Sequence, residues 1–265
     1  MADDRTRQAG QVRSLTRALS LMRHLAECPH GMTLTQLADV AGLPPSTTHR
    51  LLTTLEAERF VRPDGQSGMW RIGVAAFFVG SAFARSRDKL AITRPFLARL
   101  MELSGETANL FVESDGEVVC IGQIESRHAM RAITGVGGRV LLHASAAGKA
   151  ILAHMDAGRR AKLLSAQPLR AITDQTITAN EILTRSLEEV RNIGYAIDDQ
   201  EHALGLRCVA APIFDETGSP VAALSVSGPS ARVTRDRLAT LGRAVAHAAV
   251  EATRDYGGEP RIAAQ

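Results

Sequence analysis

Apolar residues recur at helical spacing near the start of the chain and predict a first helix. Ser14 is a candidate N-cap, and Pro29 and Gly31 end the pattern. The apolar positions of this helix are Leu15, Ala18, Leu19, Met22, Leu25 and Ala26. Since this spacing puts apolar side chains along one side of a helix, we expect that side to face a core.

A second helix, a third helix and a hairpin follow directly. Thr33 and Gln36 form a potential capping box for the second helix, and Pro45 suits the first position of the third. A glycine-containing loop then connects two short β-segments, which predicts a hairpin. Helix, tight turn, helix and hairpin is the order of a winged helix-turn-helix, here over residues 13–73. DNA binding is therefore the first hypothesis.

The third helix would meet the major groove with its N-terminal end, which carries small hydroxyl side chains and an arginine. Such side chains can approach bases and phosphates closely. Arginines on the hairpin are placed for phosphate or minor-groove contact. The predicted DNA-binding residues are Ser46, Thr47, Thr48, His49, Arg50, Arg62 and Arg71. The alternatives are a helical hairpin that merely packs and, for Thr48, a side chain turned partly toward the core.

Residues 74–84 are apolar on nearly every side of a helix and include Phe77, Phe78 and Phe83. A helix of this kind has to be covered by another element. At this place in the chain, a second subunit is the most economical cover. We therefore predict a linker helix over 74–88 and an oligomeric protein.

The remaining region, 89–254, reads as helices and short strands of a mostly antiparallel sheet, which predicts an α+β fold. Strands are predicted at 108–112, 118–124, 130–133, 140–143, 195–197, 208–214 and 221–227. Ser145 is expected to cap a helix that runs to about His154. Thr178 and Glu181 resemble a second capping box. The inward positions of the helix after it are Ile182, Leu183, Leu187, Val190 and Ile193.

Charge supports nucleic-acid contact at the N-terminal end. Residues 1–87 hold 11 arginines against 7 acids, a surplus of +4, whereas the rest holds 20 basic residues against 21 acids. A surplus of that size is also compatible with an ordinary surface. No secretory or membrane-spanning segment is apparent, so we expect a cytoplasmic protein without a membrane partner. Three scattered cysteines predict neither a disulfide framework nor a zinc site, and no metal or cofactor is expected.

A candidate ligand site begins at the sequence HASAAGK, residues 143–149. It resembles a phosphate loop but lacks the required Gly at His143 and the hydroxyl residue at Ala150. What remains is a helix N-terminus with small residues, whose free N–H groups favour a small anion. The alternative is that alanine and glycine stand here for tight helix packing.

Further polar residues fall on predicted strands of the same region. Ser225 and Ser227 are two apart, so they point to one face of a strand, and Cys208 follows Asp198 by ten residues. A thiol, two hydroxyls and a helix N-terminus would suit a small oxo-acid. The other interpretation, a buried Cys208 and serines that satisfy the backbone, stays open. An enzyme with Cys208 as nucleophile is a weak rival, because nothing in the spacing brings a base such as His143 or His202 to it.

The chain resembles the IclR family of bacterial transcriptional regulators. The motifs that carry the resemblance are LTRALSLMRHL, LADVAGLPPSTTHRLLTTLE, WRIG, LHASAAGKAILA and GYAIDDQEHALGLRCVAAPIFDETGSPVAALSVSGPSARVT, over about residues 13–252. The resemblance implies a winged helix-turn-helix, a linker helix and a GAF-like effector domain. It also implies a homodimer or a dimer-of-dimers homotetramer that binds operator DNA and acts as a repressor or activator of a catabolic operon.

DDQEHALGLRC and SVSGP resemble the glyoxylate-responsive subgroup of that family. The effector-binding residues that this resemblance implies are Ala146, Ala147, Asp198, Leu206, Cys208, Ser225 and Ser227. Ala146 replaces a glycine common in the subgroup, and Ala129 and Ala132 stand where larger residues often wall the pocket. We therefore expect a roomier pocket for glyoxylate, pyruvate or a larger acid. An aromatic acid, as in other branches of the family, is the alternative that the polar residues disfavour.

Overall fold

A computed structural model describes residues 12–65, 67–85, 89–129, 134–166 and 168–260. The chain divides into two compact units, with the division between residues 86 and 87. Each unit has its own hydrophobic core. Within the described ranges, no helix is both long enough and apolar enough to cross a bilayer.

The first unit is a helix-turn-helix followed by a small hairpin. Its elements are α1 (Arg13–Glu27), α2 (Leu34–Ala41), α3 (Pro45–Ala57), β1 (Val61–Pro63), β2 (Trp70–Ile72) and α4 (Val74–Arg85). Strands β1 and β2 pair antiparallel. The buried core consists of Leu21, Leu25, Leu37, Leu52 and Val61, so α1, α2, α3 and the hairpin contribute to it.

Local hydrogen bonds set the ends of α2 and α3 as the sequence predicts. Thr33 Oγ1 accepts the N–H of Gln36 at 3.3 Å, and Gln36 Oε1 accepts the N–H of Thr33 at 2.9 Å, which confirms the capping box. Gly42 ends α2 at φ +62°, a conformation that favours glycine. Pro45 occupies the first helical position of α3.

Two expectations for α1 are wrong. The helix begins at Arg13 with Val12 at the N-cap, so Ser14 lies inside the helix and caps nothing. Leu15 and Leu19, expected in the core, are 59% and 49% exposed. The residues that α1 buries, Leu21 and Leu25, lie on another side of the helix, so Leu15 and Leu19 form an exposed apolar side within the described part of the chain.

The second unit is an antiparallel sheet with helices on both faces. Its strands are β3 (Thr107–Ser114), β4 (Glu117–Ile124), β5 (Arg139–Leu141), β6 (Ala196–Asp199), β7 (Leu206–Phe214) and β8 (Pro220–Pro229). Its helices are α5 (Lys89–Ser104), α6 (Ala146–His154), α7 (Ala157–Ala166), α8 (Asn180–Ile193) and α9 (Arg235–Asp255). The strand order is β5-β4-β3-β8-β7-β6, and the combination of an antiparallel sheet with flanking helices confirms the α+β prediction.

Two separate apolar clusters hold the layers together. On one face, α5 and α9 pack on the sheet through residues such as Leu97, Leu224 and Val245. On the other face, α6 and α8 pack through residues such as Ile151 and Leu187. Residues 146–153 of α6 are all buried, so this helix lies almost wholly inside the core.

Some local expectations for the second unit hold and others do not. The strands predicted at 108–112 and 118–124 are confirmed as β3 and β4, and their hairpin turns at Asp115 and Gly116, both with positive φ. The strand expected at 140–143 ends at Leu141, and the strand expected at 130–133 lies outside the described residues.

The capping box expected at the start of α8 is absent. Ala179 is the N-cap and no side chain caps the helix, so Thr178 stands one position too early. Ile182 and Ile193 are 55% and 41% exposed rather than inward. The buried face of α8 consists of Leu183, Leu187 and Val190, and the helix is fixed by that packing rather than by a cap.

Candidate functional site

The N-terminal end of α3 presents a polar surface. Ser46, His49 and Arg50 are exposed and Thr47 is half-buried. Thr48 is fully buried, and its hydroxyl donates to the carbonyl of Pro44 at 3.2 Å. The expectation that Thr48 contacts DNA is therefore corrected, because its side chain points into the helix-turn-helix core.

The hairpin places two arginines opposite each other. Arg62 of β1 pairs directly with Arg71 of β2. Like charges at directly opposed positions repel, so an anion between them would be stabilising. The Arg71 guanidinium, however, forms an ion pair with Asp64 at 3.2 Å, whereas Arg62 is exposed. Arg62 is thus the more available of the two for phosphate.

The second unit encloses a small cavity between the sheet and the N-terminal end of α6, which we call the polar cavity. Its volume is about 30 Å³. All seven residues predicted to bind an effector line it. The full lining is Asn109, Phe111, Thr134, Val140, Ser145, Ala146, Ala147, Asp198, His202, Leu206, Cys208, Ser225 and Ser227.

Strand register explains why residues distant in sequence meet in the polar cavity. Cys208 of β7 lies directly opposite Asp198 on one side and Ser227 on the other. Ser225, two residues before Ser227, shares the same face of β8. Asp198, Cys208 and Ser227 therefore lie in one row across three strands and line the same wall of the polar cavity. Both serines are buried.

The opposite wall is the start of α6. Ser145 is the N-cap, and its Oγ accepts the N–H of Gly148 at 3.1 Å. The N–H groups of Ala146 and Ala147, in the first turn, have no intrahelical acceptor and carry the positive end of the helix dipole. The packing interpretation also holds for Gly148, because a Cβ there would lie 2.2 Å from the carbonyl oxygen of Leu142.

A chain of amides that the residue pattern did not predict lies behind the serines. Asn109 Nδ2 donates to Ser227 Oγ at 3.0 Å and to Ser225 Oγ at 3.3 Å. Gln123 Nε2 donates to Asn109 Oδ1 at 2.8 Å and to the carbonyl of Thr134 at 2.6 Å. A signal was present in the sequence: Asn109 is a single amide in an apolar strand, and a buried amide requires partners.

Charged groups lie close to Asp198, a lining residue of the polar cavity. Lys149 and Glu201 form a buried ion pair. Asp198 Oδ1 accepts the N–H groups of Glu201 at 2.7 Å and His202 at 3.3 Å. Burial, and then the nearby Glu201 carboxylate, raise the pKa of Asp198 to about 7, while the Lys149 ammonium acts in the opposite direction. Asp198 therefore titrates near neutral pH.

Two buried polar atoms of this region have no hydrogen-bond partner within the described part of the chain. They are His202 Nδ1 and Glu201 Oε2. Burial lowers the pKa of His202, which keeps its ring neutral. Because an unsatisfied buried polar atom costs about 1–3 kcal/mol, a ligand that bonds to one would recover part of that cost.

Nucleophilic chemistry at Cys208 is disfavoured by its surroundings. His202 lines the same cavity, so the structure brings a histidine closer than the sequence spacing indicated. Nevertheless, burial raises the pKa of the Cys208 thiol well above its usual range, with the Asp198 carboxylate acting in the same direction. A protonated thiol is a poor nucleophile, since the thiolate is the reactive form.

The expectation of a roomier pocket stays a prediction. Ala129 is exposed and does not line the polar cavity, and Ala132 lies outside the described residues. No group of three or more His, Cys, Asp or Glu side chains in the described ranges could hold a metal ion.

Comparisons with known proteins agree for both units. The model of the IclR helix-turn-helix domain matches residues 14–65, and the model of the C-terminal domain of bacterial IclR transcriptional regulators matches residues 82–254. Transcriptional repressor IclR of Escherichia coli K12 is 50% identical over 251 residues, covering 94% of this chain and 92% of that protein. The acetate operon repressor of Salmonella typhimurium LT2 is 49% identical over 251 residues, with the same coverages of 94% and 92%.

The architecture also matches solved structures. A crystal structure of an IclR transcriptional regulator from Alicyclobacillus acidocaldarius superimposes with a TM-score of 0.82 at 28% sequence identity. The match covers 93% of this chain and 100% of that chain. Both the helix-turn-helix and the helix-flanked antiparallel sheet therefore occur together in a known regulator.

Proposed function

The chain belongs to the IclR family of bacterial transcriptional regulators, and we propose that it represses a catabolic operon under the control of a small 2-oxo acid such as glyoxylate or pyruvate. It is a DNA-binding regulator rather than an enzyme, since the similar curated proteins are repressors. A relative named for the acetate operon is in keeping with control by a two-carbon or three-carbon acid.

The observation that carries the effector class is the size and chemistry of the polar cavity. At about 30 Å³ it exceeds the ~10–15 Å³ that one water needs but is far smaller than the roughly 150 Å³ of an engineered cavity that binds benzene. Donors surround it, namely two serine hydroxyls and the first N–H groups of α6. These features favour a compact anion over an aromatic acid.

The size of such a ligand limits its affinity. Glyoxylate has about five heavy atoms, and the best small ligands gain about 1.5 kcal/mol per heavy atom. The binding free energy is then at most about 7 kcal/mol, which corresponds to a Kd no tighter than micromolar. Coupling to DNA affinity of about 1–3 kcal/mol would change operator binding about 5–150-fold.

We propose that residues 46, 47, 49 and 50 of α3 contact bases and phosphates, with Arg62 and Arg71 on the flanking backbone. A homodimer would place two such helices about 34 Å apart, so the operator should be pseudo-palindromic. Exposed apolar side chains support self-association, among them Val74, Phe77 and Phe78 of α4. A dimer-of-dimers tetramer is the larger assembly that we propose, acting in the cytoplasm.

Thermal-shift titration against small carboxylates tests the effector class, followed by gel shifts with DNA upstream of the neighbouring operon. We expect glyoxylate or pyruvate to raise the melting temperature and to change operator affinity, and aromatic acids to do neither. A shift with benzoate alone would reject the proposed ligand class. Footprints without symmetric half-sites would reject the proposed dimeric mode of DNA contact.

A further inference from the structure

We infer that Gln123 is a positioning residue for the effector. It fixes the direction of the Asn109 amide and thereby turns two serine hydroxyls toward an anionic ligand. The inference rests on the proposed function, because it takes the polar cavity to hold a small oxo-acid anion. Gln123 does not line the polar cavity and contacts it through two lining residues, Asn109 and the Thr134 carbonyl. The positioning role concerns the contact with Asn109.

The contacts of Gln123 determine which way the Asn109 side-chain amide points. A backbone carbonyl can accept a hydrogen bond and never donates one, so the Gln123 atom 2.6 Å from the Thr134 carbonyl has to be the amide nitrogen. The same nitrogen lies 2.8 Å from the Asn109 side chain and donates its second N–H there. Asn109 therefore presents Oδ1 to Gln123 and Nδ2 to the other side.

The contacts of Asn109 determine where the hydroxyl protons of Ser225 and Ser227 can point. Asn109 Nδ2 is 3.3 Å from Ser225 Oγ and 3.0 Å from Ser227 Oγ, and an amide nitrogen only donates. Both hydroxyls thus accept from Asn109 and keep their own protons available. In the described ranges neither proton reaches an oxygen or nitrogen acceptor; Ser227 also contacts the Cys208 sulfur, a weak acceptor.

The orientation of the Asn109 amide therefore determines whether Ser225 and Ser227 present hydrogen-bond donors or acceptors to the ligand. With Nδ2 of Asn109 toward the serines, two O–H donors face the ligand and favour a carboxylate. With the amide reversed, both hydroxyls would donate to Oδ1 and turn their lone pairs toward the ligand, which repels an anion. Gln123 is the group that excludes the reversed state, since its Nε2 cannot accept from Asn109 Nδ2.

The test replaces the donor by an acceptor of the same shape. Gln123→Glu should draw Asn109 Nδ2 toward the new carboxylate and reverse the amide. Gln123→Met, the matched control, removes the donor without creating an acceptor. Isothermal titration of the full-length protein with glyoxylate should give a Kd about tenfold or more weaker for Gln123→Glu and within about threefold of wild type for Gln123→Met.

A pH series separates orientation from general damage to the fold. In the Gln123→Glu variant, the introduced carboxyl group can again donate to Asn109 Oδ1 once it is protonated. The ratio of that variant's Kd to the wild-type Kd should therefore fall toward one between pH 6 and pH 4, as the pH passes the ordinary glutamate pKa of about 4.3. The ratio for Gln123→Met should stay flat over that range. Asn109→Asp, which presents acceptors to both serines, should weaken glyoxylate binding as Gln123→Glu does and provides a second, independent variant.

The outcomes distinguish the two proposals. Equal loss in Gln123→Glu and Gln123→Met, or loss without recovery at low pH, would overturn the positioning role while leaving the effector class intact. Wild-type affinity in both Gln123→Glu and Asn109→Asp would do the same. If the wild-type protein binds neither glyoxylate nor pyruvate, the proposed effector class fails, and the positioning role fails with it.

Discussion

The carboxylate of Asp198 accepts the backbone N–H of Glu201 at 2.7 Å, while the Glu201 side chain turns away to pair with Lys149. Two acids and one lysine thus lie buried beside each other, with a neutral His202 next to them. One positive charge cannot compensate two negative ones in this apolar setting. Burial, and then the nearby Glu201 carboxylate, raise the pKa of Asp198 to about 7.

This pKa predicts how stability and ligand binding depend on pH. The folded pKa of about 7 lies above the ordinary 3.8, so between these values the native state binds more protons than the unfolded state. The free energy of unfolding should therefore gain from this group as pH falls from about 7 to about 4, with a slope of at most about 1.4 kcal/mol per pH unit. Denaturant unfolding at several pH values measures it.

An anionic effector beside Asp198 would repel its carboxylate, so ligand binding should favour the protonated form of Asp198. Glyoxylate affinity should therefore increase as pH falls from 8 to 6, and calorimetry in buffers of different ionisation enthalpy should detect proton uptake. Asp198→Asn keeps the acceptor for the Glu201 N–H and should remove most of the pH dependence of both affinity and stability. An undiminished dependence in that variant would assign the titration to another group.

The proposed role of Ser225 and Ser227 in effector binding can be tested separately from DNA binding. Ser225→Ala combined with Ser227→Ala removes both hydroxyls from the polar cavity and should abolish the glyoxylate response, as measured by titration and gel shift. Operator affinity without ligand should stay near wild type. Because Asn109 Nδ2 then loses its acceptors, we also expect the double variant to unfold with about 1–3 kcal/mol less stability. An unchanged glyoxylate titration would remove the proposed ligand site.

Arg50 tests the DNA surface. Arg50→Ala should weaken operator binding by about 1–3 kcal/mol, because an exposed guanidinium at the start of α3 is lost. Fluorescence anisotropy with labelled operator measures the loss, and size-exclusion chromatography should give an unaltered oligomer. Arg243→Ala, on the exposed side of α9 in the other unit, is the matched control and should bind operator normally. Loss of the oligomer in Arg50→Ala would mark a structural residue instead.

Gly148 tests how closely α6 packs against the backbone of Leu142. Gly148→Ala would put a Cβ 2.2 Å from the Leu142 carbonyl oxygen, so we expect a loss of about 3 kcal/mol or more in the free energy of unfolding. Gly80→Ala, also within a helix, meets nothing within 4 Å and should be neutral or stabilising by about 1 kcal/mol. Equal stability of the two variants in urea titrations would contradict the packing role of Gly148.

Elements with short-range causes could be predicted from the sequence. The Thr33–Gln36 capping box and the Ser145 cap depend on hydrogen bonds between residues three apart. The turn at Asp115 and Gly116 depends on backbone conformations that these residues adopt readily. In each of these cases the partners are neighbours in the chain, so the pattern of residues contains the whole interaction.

Features with long-range causes could not be predicted in that way. Thr48 looks like its exposed neighbours in the sequence, and only packing against the rest of the helix-turn-helix buries it. The link from Asn109 to Ser227 joins residues 118 apart. Its donor directions are set by Gln123 on a third strand. The full set of seven predicted effector residues comes from family resemblance, although the residue pattern alone indicates Asp198, Cys208, Ser225 and Ser227. The amides that support the serines required the strand register.

The burial of the inner wall of the polar cavity has a kinetic consequence. Asn109, Ser225 and Asp198 are each no more than 2% exposed, so we expect an effector bound against them to exchange with the help of transient opening of the surrounding walls. Entry and departure then follow the frequency of that opening rather than diffusion to an exposed surface. We expect slow exchange of this kind to average the supply of the proposed effector over many opening events.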